Sequence, residues 1–342
     1  MDNSVNRINF IDVAKGIVIS LMVLCHCGFS GPGRVWIYSF HMPFFFFVSG
    51  FLKSINQKTR SISEIFSKLL LTLIIPFFIF SLIYCFGSNG IQDWGYIIYG
   101  SRNSLAEAKC ATPMWFLPCF FLSSLLFDCL IKIRVSIIRV CLILLSGLIG
   151  VVLSISAFKP SMGYPFSFDV SLIGLCLMGA GFYLNRHNRL INDRRGLILV
   201  CMGGVGSILA FLNRPESLTV NLRHVEMSVG SIGNPFLFFI TAVTLSLFVI
   251  YLSKWLSHYH NALLDIIIFL GKNSLAVLII HYLYVLVFVH LANYLTAMMT
   301  ISIGNELLSL IIFLFVVALA VPTIKVINKY VPNLVGKQYP AR

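Results

Sequence analysis

Apolar residues run through this chain in blocks of about 20, each closed by a short polar stretch. Ten such blocks can be read, with approximate ends at 13–30, 35–52, 66–86, 112–131, 135–157, 166–185, 196–212, 234–252, 264–290 and 303–325. Each is long enough to cross a bilayer as an α-helix. Pro76 and Pro118 fall inside blocks and predict kinks, which neighbouring helices in a membrane bundle tolerate. No internal repeat or soluble domain interrupts the series. The expectation is an all-α, polytopic membrane bundle of about ten transmembrane helices. It forms one domain over residues 1–342, with a helical core at about 7–325 and a short tail at 326–342.

Composition agrees. The chain is 58% hydrophobic and only 11% charged, whereas soluble domains are about 25% charged. The net charge of +13 is therefore read as topology, with no nucleic-acid partner. With the N-terminus inside, only Arg34, Arg102, Lys109, Lys159, Arg214 and Arg223 face outward, leaving 19 of the 25 basic residues on the cytoplasmic side. This bias predicts both termini in the cytoplasm, and the run Arg186 to Arg195 is the strongest anchor. Arg7 before an apolar run resembles a signal peptide, but Asp12 and Lys15 interrupt it and no small-x-small site follows. A retained first helix is expected.

Nine cysteines lie mostly in apolar segments, where they act as small hydrophobes. Cys25-His26-Cys27 cannot close on one metal ion, because adjacent helical residues point about 100° apart. No metal is expected. Cys85 and Cys110 flank one outer loop, where a disulfide could form.

The chemistry concentrates in the first two blocks. Ionisable groups within a membrane segment are functional candidates. Lys15 and His26 are eleven residues apart, close to three turns, so they share one helix face at roughly 16 Å along the axis. His41 follows in Phe40-His41-Met42-Pro43, before the run Phe44 to Phe47. A phosphate-bearing cytosolic cofactor would meet Lys15 first, and a flexible arm could extend to His26. A neutral buried imidazole suits general-base removal of a hydroxyl proton during attack on an acyl thioester.

Plainer readings stand beside these. Lys15 can snorkel to the interface and pair with Asp12. His41 can line a helix break, and the four phenylalanines can serve as lipid and helix contacts. Asp128, Asp169, Asp265 and Glu306 sit near helix ends and read as interfacial. Outer loops at about 87–111 and 213–233 are long enough to bind a hydroxylated acceptor. Trp115, Arg223, Glu226 and His281 are the candidate acceptor-binding residues.

The stretch Asp12 to His26, followed by Phe40-His41-Met42-Pro43-Phe44-Phe45-Phe46-Phe47-Val48-Ser49-Gly50-Phe51, resembles the membrane-bound acyltransferase 3 family. Its similarity points to the fucose 4-O-acetylase-like and related bacterial sugar O-acetyltransferases. Trp115-Phe116-Leu117, Asn234-Pro235, Gly271-Lys272-Asn273-Ser274-Leu275 and His281-Tyr282 add matches in order, over about residues 7–325. The resemblance implies a bundle of about ten helices in the bacterial plasma (inner) membrane. Such a bundle moves acetyl from acetyl-CoA, a co-substrate rather than a tightly bound cofactor, to hydroxyls of a surface polysaccharide or lipid-linked glycan. By the same resemblance His26 is the general base, Lys15 places coenzyme A or the catalytic helix, and His41 is a second active-site residue. The resemblance implies a motif of an arginine, ten residues, then the catalytic histidine; here the arginine position is Lys15, which keeps the charge and loses the bidentate fork. The competing class is a proton-coupled transporter or flippase, to which buried Lys and His are also suited. A third is a non-catalytic membrane sensor. Labelled acetyl transfer separates the first two, and an inert His26→Ala variant would favour the third.

Overall fold

The computed structural model describes residues 3–55, 60–87, 94–109, 111–185, 196–215, 223–299 and 304–337. Every long element among them is a helix, and β pairing is limited to one isolated bridge between Glu226 and Ser231. In chain order the α-helices are α1 (Asn3–His26), α2 (Gly31–Tyr38), α3 (His41–Ile55), α4 (Ile62–Leu69), α5 (Ile75–Gly87), α6 (Trp94–Tyr99), α7 (Arg102–Glu107) and α8 (Phe116–Leu130). They continue as α9 (Ser136–Ile155), α10 (Phe168–Asn185), α11 (Gly196–Leu212), α12 (Pro235–Leu256), α13 (Ala262–Lys272), α14 (Ser274–Met299) and α15 (Asn305–Tyr330).

Among the described residues, eight helical segments are long and apolar enough to cross a membrane: Gly31–Ile55, Ile62–Cys85, Thr112–Leu130, Ser136–Ile155, Pro165–Asn185, Pro235–Leu256, Ser274–Leu291 and Asn305–Tyr330. α9 and α15 bear the marks of lipid-facing helices. Leu144, Leu148, Val152 and Ile155 on one, and Leu307, Leu314 and Phe315 on the other, are exposed. The anchor run Arg186 to Arg195 and residues 216–222 of the second outer loop lie outside the described residues.

Three expectations are corrected. The first helix does not span 13–30: it starts at Asn3 and stops at His26, where the Cys27 amide bonds back to Val23 and Gly28 turns the chain at φ +99°. The block 264–290 is two helices broken at Asn273. The Asn273 side chain donates to the Phe269 carbonyl at 2.7 Å, and its Oδ1 accepts from Asn328 at 2.8 Å and from Lys337. An asparagine that serves backbone and partners in this way competes with helix propagation. Pro118 produces no mid-helix kink, because α8 starts at Phe116 and proline is tolerated in a first turn. Pro76 behaves differently. It cannot donate to the residue four back, and just before it the helix widens into a π-turn over Leu70–Ile74, in which the Ile75 amide reaches Leu70.

Without a hydrophobic drive between helices in lipid, close backbone approach carries much of the packing. α1 lies against α13, where a Cβ at Gly271 would overlap the Asp12 carbonyl and one at Gly16 the Ile267 carbonyl. The run Phe44 to Phe47 is buried on all faces and does not meet lipid. Asp169 lies in the first turn of α10, at a helix end as expected, and is buried, pairing with Lys159 at 2.6 Å beside Ser154. Cys85 is disulfide-bonded; its expected partner, Cys110, lies outside the described residues, and the other seven cysteines are free.

Candidate active site: two cavities along the first helix

α1 carries Lys15 and His26 into two different cavities. The inner one, of about 610 Å³, is lined by Lys15, Lys53, Arg60, Lys68 and Asp128, with an apolar wall including Phe45, Phe116 and Phe120. The outer one, of about 350 Å³, is lined by His26, Arg34, Tyr38, His41, Arg102, Trp115, Glu226 and Tyr282. Leu278 lines both. The spacing read from the sequence therefore corresponds to two chambers separated near one leucine side chain.

In the inner chamber Lys15 pairs with Asp12 at 2.8 Å, so the plainer reading of Lys15 holds together with its place in the cavity wall. Lys53 pairs with Asp128 at 2.7 Å and lies over the Phe127 ring. Four cations against Asp128 in the lining leave the chamber basic. The C-terminal turn closes one side. Gly336, at φ +70°, packs so tightly that a Cβ would overlap the Thr72 carbonyl and crowd Leu275, and both of these residues line the chamber. The next residue, Lys337, is held by Asn273. Burial, and then the Lys15 ammonium, push its pKa down.

In and behind the outer chamber, backbone carbonyls set His281 and His41, and His281 in turn sets His26. His281 Nδ1 lies 3.0 Å from the Val277 carbonyl and 2.9 Å from that of Leu278. A carbonyl only accepts, so the Nδ1 proton is on His281 and its Nε2 holds the lone pair. That Nε2 lies 2.8 Å from His26 Nδ1, which must then donate. His26 Nε2 is left with a lone pair, the state a general base requires. The two rings are nearly parallel, at 15°, with centroids 5.0 Å apart, as rings joined edge to edge by that bond should be, and Tyr282 meets His26 edge-on. His41 Nδ1 donates to the Ile37 carbonyl at 2.9 Å across the break between α2 and α3, which leaves its Nε2 as an acceptor.

Of the residues picked from the sequence, His26, His41, Trp115 and Glu226 meet in the outer chamber, and Lys15 sits in the inner one. Arg223 is exposed and outside the lining. His281 is fully buried behind His26 instead of lining the cavity. Arg34, Tyr38 and Arg102 were not singled out. Arg34 and Tyr38 stand four residues apart, a spacing that stacks side chains on a helix. That was the available signal for them, and Arg102 had none.

A model of the acyltransferase domain of the acyltransferase 3 family matches residues 8–326. No curated protein matches the chain. With nearly its whole length covered, and with helices suited to crossing a membrane, the chain belongs to the membrane acyltransferase 3 family.

Proposed function

We propose that this acyltransferase moves acetyl from cytosolic acetyl-CoA to a hydroxyl of a surface glycan or its lipid-linked precursor, in a bacterial plasma membrane. The observation that carries this reading is the chain of protons from the Val277 and Leu278 carbonyls through His281, which leaves a lone pair on His26 Nε2. The basic inner chamber supports a phosphate-bearing donor: Lys15, Lys53, Arg60 and Lys68 would hold its phosphates. The outer chamber would hold the acceptor, and the two substrates would meet near Leu278.

The acceptor hydroxyl gives its proton to His26 Nε2 as its oxygen attacks the thioester carbonyl. The C–S bond of the tetrahedral intermediate then breaks, and the proton passes from His26 to the departing sulfur. An ester and free coenzyme A result, with no acyl-enzyme. His281 keeps His26 in the working tautomer, the part an orienting group plays beside any catalytic base.

Proton NMR of surface polysaccharide tests the assignment. Acetyl signals should vanish when the protein is absent, return with wild type and stay absent with His26→Ala. Unchanged acetylation in cells lacking the protein would remove surface glycan as the acceptor.

A further inference from the structure

Arg34 is the one charged residue of the outer chamber whose charge the described residues leave uncompensated. Three charged side chains line that chamber: Arg34, Arg102 and Glu226. Glu226 is committed. It faces Arg102 at 3.8 Å and accepts from the Ser228 hydroxyl at 3.3 Å. Arg34, half-buried on α2, has no carboxylate within ion-pair distance among the described residues. Its guanidinium lies 4.8 Å from the centroid of the Tyr38 ring, its Nη2 donates to the Tyr38 hydroxyl at 3.3 Å, and its Nε is buried with no hydrogen-bond partner.

A cation taken partly out of water without a counter-ion is costly. A guanidinium is also the side chain best matched to a carboxylate or phosphate, through its rigid fork of donors. The Tyr38 ring and hydroxyl hold the guanidinium in place. His26 and His41 line the same chamber and bring no negative charge.

We propose that the acceptor carries an anionic group, and that Arg34, with Arg102 beside it, binds that group so that a neighbouring hydroxyl faces His26. The proposal rests on the acyltransferase reading, with the acceptor in the outer chamber. The anion is a carboxylate of an acidic sugar or a phosphate on the glycan. Both offer the same oxygens to the fork, so the substrate decides between them. Arg34 is a specificity residue here, and the proton transfer belongs to His26.

Purified full-length protein would be given labelled acetyl-CoA and three acceptors: a methyl glucuronide, the neutral methyl glucoside and the methyl glucoside 6-phosphate. Wild type should prefer one of the anionic sugars by about tenfold or more in kcat/KM, the scale of one charge-assisted hydrogen bond. Which anion wins identifies the source. Arg34→Gln should erase the preference through KM, costing the anionic sugar about tenfold more than the neutral one, and Arg34→Lys should restore part of it. If none of the three is acetylated, His26-dependent hydrolysis of acetyl-CoA becomes the readout, and an anionic sugar should compete with it where the neutral one does not. Equal use of charged and neutral sugars, equal slowing of both by Arg34→Gln, or no competition by either anion overturns the proposal. Absence of any His26-dependent consumption of acetyl-CoA would instead overturn the acyltransferase reading beneath it.

Discussion

His26 Nδ1 lies 2.8 Å from His281 Nε2, a contact between residues 255 positions apart. The direction of this bond follows from carbonyls that only accept. His26→Ala should reduce turnover by about 10²-fold or more, the usual contribution of a general base. His281→Leu removes only the orienting acceptor and should cost about tenfold in kcat, with the KM for acetyl-CoA unchanged. His281→Gln keeps an acceptor oxygen and should recover part of the loss. Steady-state kinetics on the three variants checks this; a His281→Leu enzyme as fast as wild type would show that the tautomer needs no help.

Lys15 should act on the donor. Lys15→Ala is expected to raise the KM for acetyl-CoA by about tenfold, equivalent to roughly 1.4 kcal/mol, with kcat within a factor of about two. Lys15→Arg restores the fork and should match or improve on wild type. A fall in kcat alone would place Lys15 in the chemistry instead.

Leu278 stands where the two chambers adjoin. Leu278→Trp should stop transfer while a coenzyme A analogue still binds the inner chamber with near-normal affinity by calorimetry. Transfer at the wild-type rate by that variant would mean the acyl group takes another route.

Gly336→Val forces a side chain against the Thr72 carbonyl in a left-handed conformation that valine resists. The C-terminal turn, Lys337 with it, should leave the inner chamber. The KM for acetyl-CoA is then expected to rise severalfold, with the melting temperature in detergent little changed. If KM holds, the turn is only a cover.

Breaking the Lys159–Asp169 pair should affect folding rather than catalysis. Asp169→Ala leaves a half-buried ammonium with the Val229 carbonyl alone and is expected to cost about 1–2 kcal/mol. The double change Lys159→Met with Asp169→Leu should recover most of it, which thermal unfolding of the three proteins would read directly.

The helices were legible because each block needed only its own apolar residues. The break at Asn273 was not, since an asparagine inside an apolar block looks tolerable until its partners Asn328 and Lys337, 55 and 64 residues away, are in view. His26 stood out as an imidazole deep in an apolar run, and Lys15 by its register with it. What His281 does could not be read, because its role is a contact across two helices. Arg34 looked like an outward topological charge, and only the folded chamber shows that no carboxylate among the described residues pairs with it.

The wall at Leu278 has a consequence for the cell as well as for the reaction. Two polar chambers along one helix of a membrane protein would, once joined, make a pore. A membrane potential does work of about 2.3 kcal/mol on each charge per 100 mV, enough to drive protons along any continuous file of water. Leu278, which lines both chambers and is 3% exposed, gives water no polar foothold where they adjoin. On the proposed reading a leucine beside the acyl route would also insulate the membrane, and an enzyme widened there for bulkier donors would begin to leak ions.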